Sequence, residues 1–182
     1  MFRWLRRDPR GDTIARLYGA IVAQGRAPAI YAEYGVPDTV AGRFELIVLH
    51  LCLFVGRVRG ERAPIRALGQ RVFDLFCRDM DHNLREMGIG DLAVPKHMQR
   101  VAEAFYGRAG AYDGVLAGEG EEALAAALAR NVFPDAAEPP AGARRLARYV
   151  RVARAELARQ DGEAFVHGRL RFPDPKTISA SP

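Results

Sequence analysis

From Phe44 to Val55 the chain reads FELIVLHLCLFV, a run in which only Glu45 and His50 are not apolar. Pro37, Asp38 and Thr39 immediately before it form a turn and helix-start signal, and Gly60 and Pro64 close it. A helix over about Thr39 to Arg57 that is apolar on every side cannot face water along its length, so it should form the buried centre of the fold. The remaining helices must therefore be arranged around it. A histidine inside such a helix needs a hydrogen-bond partner, because buried polar groups are satisfied. The favoured partner is a neighbouring carboxylate or backbone carbonyl; the sharper alternative is that His50 senses a haem, a quinone or a client.

The rest of the chain supports an all-α, single-domain helical bundle of about seven helices. At 182 residues it fits one sizeable core rather than two. Residues 1–12 read as a basic N-terminal segment, 13–164 as the helical domain and 165–182 as an extended tail. Asp12 or Thr13 can cap a first helix carrying Ile14, Leu17, Tyr18, Ile21 and Val22, which Pro28 breaks. A short helix follows over Ala29 to Tyr34. From Pro64 to Met87 the positions Leu68, Val72, Leu75, Phe76, Met80, Leu84 and Met87 advance by three or four, giving one long amphipathic helix that Gly88-Ile89-Gly90 ends. Met98, Val101, Ala102, Phe105 and Ala109 line the next. Glu121 to Val132 forms another, with acids in its first turn and Arg130 in its last, as the helix dipole favours. Beyond a proline-rich linker, the helix from Ala143 to Arg159 divides into Leu146, Val150, Ala153 and Leu157 on one side and Arg144, Arg148, Arg151, Arg154 and Arg159 on the other.

The net charge is +5, with Lys96 and Lys176 as the only lysines, so the basic excess is almost wholly arginine. Such an excess fits an acidic partner, nucleic acid or a membrane surface without selecting among them. The arginine row would be the contact for RNA or anionic lipid if it is not simply a solvated face. Cys52 and Cys77 form neither a disulfide framework nor a zinc spacing, and are expected to be reduced thiols in apolar surroundings. The run Leu46 to Val55 falls far short of the ~20 residues of a membrane helix. Met1 to Arg7 has no apolar stretch or cleavage site after it and is not a secretory signal.

No catalytic constellation is legible. His-Glu-x-x-His, a phosphate-cradling glycine loop and a Gly-x-Ser-x-Gly elbow are all missing from the sequence. Asp79, Asp81, His82 and Glu86 on one helix invite a metal reading, but the Glu-x-x-His repeats of a di-metal bundle do not occur. Asp81 and Arg85, four apart, instead read as a surface ion pair. No cofactor is expected.

Two blocks carry a family resemblance. The first holds Pro37-Asp38-Thr39, Phe44, Leu49-His50, Arg57 and Arg59; the second holds Phe76, Asp79, Met80, Asp81, Asn83, Leu84, Arg85, Met87, Gly88, Asp91, Val94, Lys96 and Phe105-Tyr106-Gly107-Arg108. Over residues 34 to 108 the chain resembles the ubiquinol-cytochrome c chaperone family, as a bacterial member. One departure is that mitochondrial members carry an aromatic pair where this chain reads Arg43-Phe44. The resemblance implies a non-catalytic assembly chaperone that binds apocytochrome b and supports its maturation into respiratory complex III. It also implies a small partner chaperone and the ribosome near its tunnel exit as partners; the N-terminal reading adds the expectation of a cytoplasmic location, with peripheral contact to the anionic surface of the inner membrane. Candidate client-binding residues from the matched block are Arg78, Asp79, Arg85, Asp91, Lys96, Tyr106 and Arg108, with Arg108 expected to reach Asp79 or Asp91. A recognition site for an apolar, helical client should be a groove or exposed apolar patch with a polar rim. The alternative is an arginine-faced RNA- or nucleoid-binding helical module.

Overall fold

The structure, a computed structural model, describes residues 9–118 and 120–179; the basic stretch Met1–Arg7 lies outside the described residues. Among the described residues there are eight α-helices, α1 (Pro9–Gly25), α2 (Pro28–Tyr34), α3 (Val40–Arg59), α4 (Ala63–Glu86), α5 (Val94–Leu116), α6 (Glu121–Val132), α7 (Ala141–Arg159) and the short α8 (Gly162–Val166). A single 3-10 turn follows at Pro175–Thr177, and no strand occurs among the described residues.

The apolar helix α3 is the centre of the bundle, with α1, α4, α5, α6 and α7 packed on it. Leu46, Val48, Leu49, Leu51 and Phe54 are fully buried there. Thr39 stands just outside the helix as its cap, its hydroxyl accepting from the Gly42 amide at 3.0 Å. The helix runs to Arg59, two residues past the expected end. Its close neighbour α4 is admitted by Gly69, where an added Cβ would lie 2.9 Å from Val58.

The first helix begins earlier than its capping signal implies. Pro9 opens it, proline being well suited to a first helical position. Thr13 then lies within the helix and donates its hydroxyl proton to the Val166 carbonyl at 3.2 Å, tying α1 to the end of α8. Pro28 does break the chain as expected, and it opens α2 as well.

After α8 the chain runs as a strap across the bundle. Phe172 meets the His50 ring edge-on at 5.0 Å, and Phe165, within α8, meets Phe54 at 5.6 Å. The strap is pinned through its carbonyls. Pro173 accepts from Gln24 at 2.9 Å, Pro175 from the Tyr34 hydroxyl at 2.7 Å and Ile178 from Arg145 at 3.0 Å. The Arg145 guanidinium also lies 4.3 Å over the Tyr34 ring and pairs with Glu33, so one side chain joins α7, α2 and the strap.

Where α7 starts, its backbone touches the end of α2. A Cβ on Gly142 would stand 1.8 Å from the Tyr34 carbonyl oxygen, which is backbone and cannot swing aside. Gly142→Ala is therefore expected to cost about 2 kcal/mol through forced separation of the two helices. Gly19→Ala, where nothing lies within 4 Å, serves as the control. Within helix α1 it should be neutral or stabilising by up to about 1 kcal/mol. Thermal melts of the two variants read the contrast, and equal melting temperatures would refute the close approach.

Candidate client-binding hairpin

The long helices α4 and α5 form an antiparallel hairpin whose halves differ. In α4 the buried side chains run from Ile65 to Phe76 and then stop; in α5 burial resumes at Phe105. Between Cys77 and Ala104 only Val94 is buried. The hairpin thus extends past the bundle, and its far half has little to pack on except itself. At the turn, Leu92 is 100% exposed and Met87 is 68% exposed. Met80, Leu84, Ile89 and Met98 are half-buried behind them. The apolar stripe from Leu68 to Met87 is buried only as far as Phe76; Met80 is half-buried against the core, Leu84 is half-buried and Met87 is exposed. Its regular spacing continues while its burial declines toward the turn.

The seven candidate rim residues all lie on or beside this hairpin, and they divide by what holds them. Asp79 accepts from the Tyr18 hydroxyl of α1 at 2.7 Å; burial first, then this bond, pushes the Tyr18 pKa well above its ordinary value. Arg85 bonds Asp81 at 2.8 Å, as the four-residue spacing predicts, and also pairs with Asp91 across the turn. Arg78 and Lys96 are exposed, and Tyr106 is 61% exposed while its ring rests 5.7 Å from Phe73.

Arg108 does something other than expected. It does not reach Asp79 or Asp91 but makes a two-pronged bond to Glu45 of the central helix, at 2.6 Å and 2.5 Å. Glu45 is the one acid in the apolar run of α3, so the opposing guanidinium on α5 must turn inward to meet it. This ion pair fixes α5 against α3 and raises the Arg108 pKa, chiefly through the hydrogen bond to Glu45. Arg108 is therefore a positioning residue for the hairpin's base.

His50 is the other polar group in that helix, and it is 0% exposed. Its Nδ1 lies 2.7 Å from the Leu46 carbonyl and its Nε2 lies 2.7 Å from the Tyr149 hydroxyl. A carbonyl can only accept, so Nδ1 carries the proton and Nε2 accepts from Tyr149. Gln24 donates to the Tyr149 oxygen at 2.9 Å and to Pro173 of the strap. Burial lowers the His50 pKa to about 4, against the opposing pull of the Leu46 bond. The ring is thus neutral near pH 7, both nitrogens are committed, and the carbonyl partner belongs to its own helix while the tie to a neighbour is a tyrosine hydroxyl. Cys52 is buried and Cys77 half-buried, both free; burial pushes the Cys52 thiol up to about 12, so it is inert rather than nucleophilic.

The arginine row of α7 meets the corner between α5 and α6. Arg144 bonds Glu122 at 2.8 Å and Arg148 bonds Glu121 at 2.7 Å. Arg151 donates to the Gly118 and Gly120 carbonyls and Arg154 to the Leu116 carbonyl. The Leu116 carbonyl is one of those that the end of α5 leaves without a helical partner, while Gly118 and Gly120 lie between α5 and α6. Arg159 bonds its neighbour Glu156 at 2.7 Å on the surface. His82 and Glu86 share a face as their spacing implies, 3.2 Å apart and exposed. Among the described residues no group of three or more His, Cys, Asp or Glu could hold a metal ion, and no helix is long and apolar enough to cross a membrane.

Residues 32–172 match the family described as ubiquinol-cytochrome C chaperone. The chain belongs to the ubiquinol-cytochrome c chaperone family. The family match runs well past the two sequence blocks and takes in the end of α2, all of α3 through α8 and the first part of the strap, up to Phe172. A crystal structure of the Cbp3 homolog from Brucella abortus is 41% identical and superposes with a TM-score of 0.86 over 94% of each chain. Ubiquinol-cytochrome c reductase complex assembly factor 1 of Mus musculus is 26% identical over 86% of this chain, and that of Xenopus laevis is 26% identical over 81%. The chain spans 53% of the mouse protein's length and 74% of the Xenopus one.

Proposed function

We propose that the chain is a non-catalytic assembly chaperone that binds newly made apocytochrome b and supports its maturation into complex III. The observation that carries this reading is the family match over residues 32–172, joined by relatives that are themselves named as assembly factors of ubiquinol-cytochrome c reductase. The hairpin supplies a surface of the right chemistry. Arg78, Lys96 and Tyr106 face outward, the Arg85–Asp81–Asp91 cluster lies at its turn, and apolar side chains lie between them. A small partner chaperone and the ribosome belong to the same proposal, with the chain acting on the cytoplasmic side of the inner membrane, where the client inserts. The engagement of four α7 arginines by acids and carbonyls lends no support to an RNA-binding module.

Deleting the gene in its host tests the proposal. Haem spectra and native gels should show selective loss of cytochrome b and of assembled complex III, with the cytochrome b transcript unchanged. Restoring the strain with Tyr106→Ala should leave complex III reduced severalfold while the purified variant melts as the wild type does. Unchanged complex III in the deletion strain would sink the proposal, and steeply salt-dependent RNA binding would then be the property to measure.

A further inference from the structure

We infer that the far end of the α4–α5 hairpin docks a single uncharged apolar helix of a protein client, through the stripe Met80, Leu84 and Met87 and the turn residue Leu92. The inference rests on the assembly-chaperone reading and says which part of the molecule receives the client and what it receives.

Three observations converge. Met80, Leu84 and Met87 follow one another at helical spacing from the last turns of α4 to its cap, and their cover falls away along that line: Met80 packs half-buried against the core, Leu84 is half-buried and Met87 is exposed. Leu92 and Met87 are the most exposed large apolar side chains of the hairpin, and both lie at its turn, a placement that costs solubility unless something covers it. Finally, the chain has four methionines, and Met80, Met87 and Met98 all belong to this hairpin. An unbranched thioether side chain adapts to partners of different shape, which suits a surface that must accept one apolar helix after another rather than a single fixed contour.

Charge decides the occupant. Arg85 is held between Asp81 and Asp91, and His82 rests on Glu86, so the ionisable groups around the stripe are closed on one another. Arg78, Lys96 and Arg100 on the hairpin are balanced by Asp79, Glu86, Glu103 and the second aspartate of the Arg85 cluster. A surface with no basic surplus has little attraction for an anionic bilayer. Its complement is apolar and uncharged, and Met80 to Met87 spans about 10 Å along the helix axis, enough for about two turns of a partner helix.

The test uses the purified full chain and a fluorescein-labelled host peptide of about twenty alternating leucine and alanine residues, the length of one membrane-spanning helix, flanked by lysines. Anisotropy should show binding that Leu92→Glu and Met87→Glu each weaken at least tenfold, with Leu92→Ser weakening it less. Both sites are exposed, so the melting temperatures should stay as in the wild type. Vesicles of phosphatidylcholine, with or without phosphatidylglycerol, should not float the protein, and sedimentation should give a monomer at the concentrations used. Equal peptide affinity in all variants would overturn the inference. So would flotation that the glutamate variants abolish, which would make the tip a bilayer contact, or a dimer that they dissolve, which would make it a contact between copies. If gene deletion spares complex III while the tip still governs peptide binding, the cytochrome b reading falls and the docking surface stands. Loss of complex III on deletion, with full rescue by Leu92→Glu, would do the opposite: the cytochrome b reading stands and the docking surface falls.

Discussion

Arg108→Met is expected to lower the stability of the fold by about 3 kcal/mol, because it leaves the Glu45 carboxylate in the apolar centre without its partner. A fully enclosed pair would lose more, up to about 5 kcal/mol. Here Arg108 keeps a fifth of its side chain in contact with water, and some solvent can follow it to Glu45. The double replacement Glu45→Met with Arg108→Met removes the charge as well as its partner, and should recover to within about 1 kcal/mol of the wild type. Urea unfolding of the wild type, both single variants and the double variant closes the cycle. A coupling energy near zero would mean that α5 is held to α3 by apolar packing alone, through Phe105 and its neighbours.

Acid should weaken the protein through His50. Its ordinary pKa of 6.5 falls to about 4 in the fold, so between those values the unfolded chain takes up a proton that the folded chain does not. The contribution of the neutral ring is complete above pH 6.5, declines as pH falls through the window, and is gone near pH 4. At about 1.4 kcal/mol per unit the whole effect is on the order of 3 kcal/mol. His50→Leu would start from a lower stability at pH 7, since the Tyr149 hydroxyl loses its acceptor. It should also lose less than the wild type between pH 6.5 and pH 4.5. Urea unfolding at the two pH values measures the difference in slope, and identical slopes would show that His50 does not set the acid response. The groups facing the ring from other elements are Tyr149 of α7, Gln24 of α1 through that hydroxyl, and Phe172 of the strap. Among these contacts none brings a carboxylate to the ring to offset protonation.

The buried centre is legible because its logic is local. An apolar run bounded by Pro37-Asp38-Thr39 and Gly60 can only be a core helix, and α6 shows the same clarity, its acids and its proline marking both ends. Partners distant in sequence are another matter. That Glu45 and His50 need partners follows from their surroundings, but that these are Arg108 and Tyr149 depends on how α5 and α7 cross α3. The nearer acids Asp79 and Asp91 are the natural expectation for Arg108 only because the α4–α5 turn brings them close along the chain. A helical wheel gathers the α7 arginines on one side, yet it cannot distinguish water from the carbonyl ends and acids of the α5–α6 corner that this side meets. The same limit explains the hairpin. Three- and four-residue spacing marks Met80, Leu84 and Met87 as one apolar face, but only the packing of the whole bundle decides that burial falls from half at Met80 and Leu84 to exposure at Met87. The exposed Leu92 has no periodic signal at all, because it sits in the turn.

Pulse-labelling the host and precipitating a tagged copy of the chain tests the cytochrome b reading most directly. Newly made cytochrome b should be recovered with the chain at the end of the pulse, in excess over other labelled membrane proteins, and should leave it during the chase as labelled complex III accumulates. Recovery of cytochrome b no greater than that of unrelated membrane proteins, with complex III forming at its usual rate, would contradict the account.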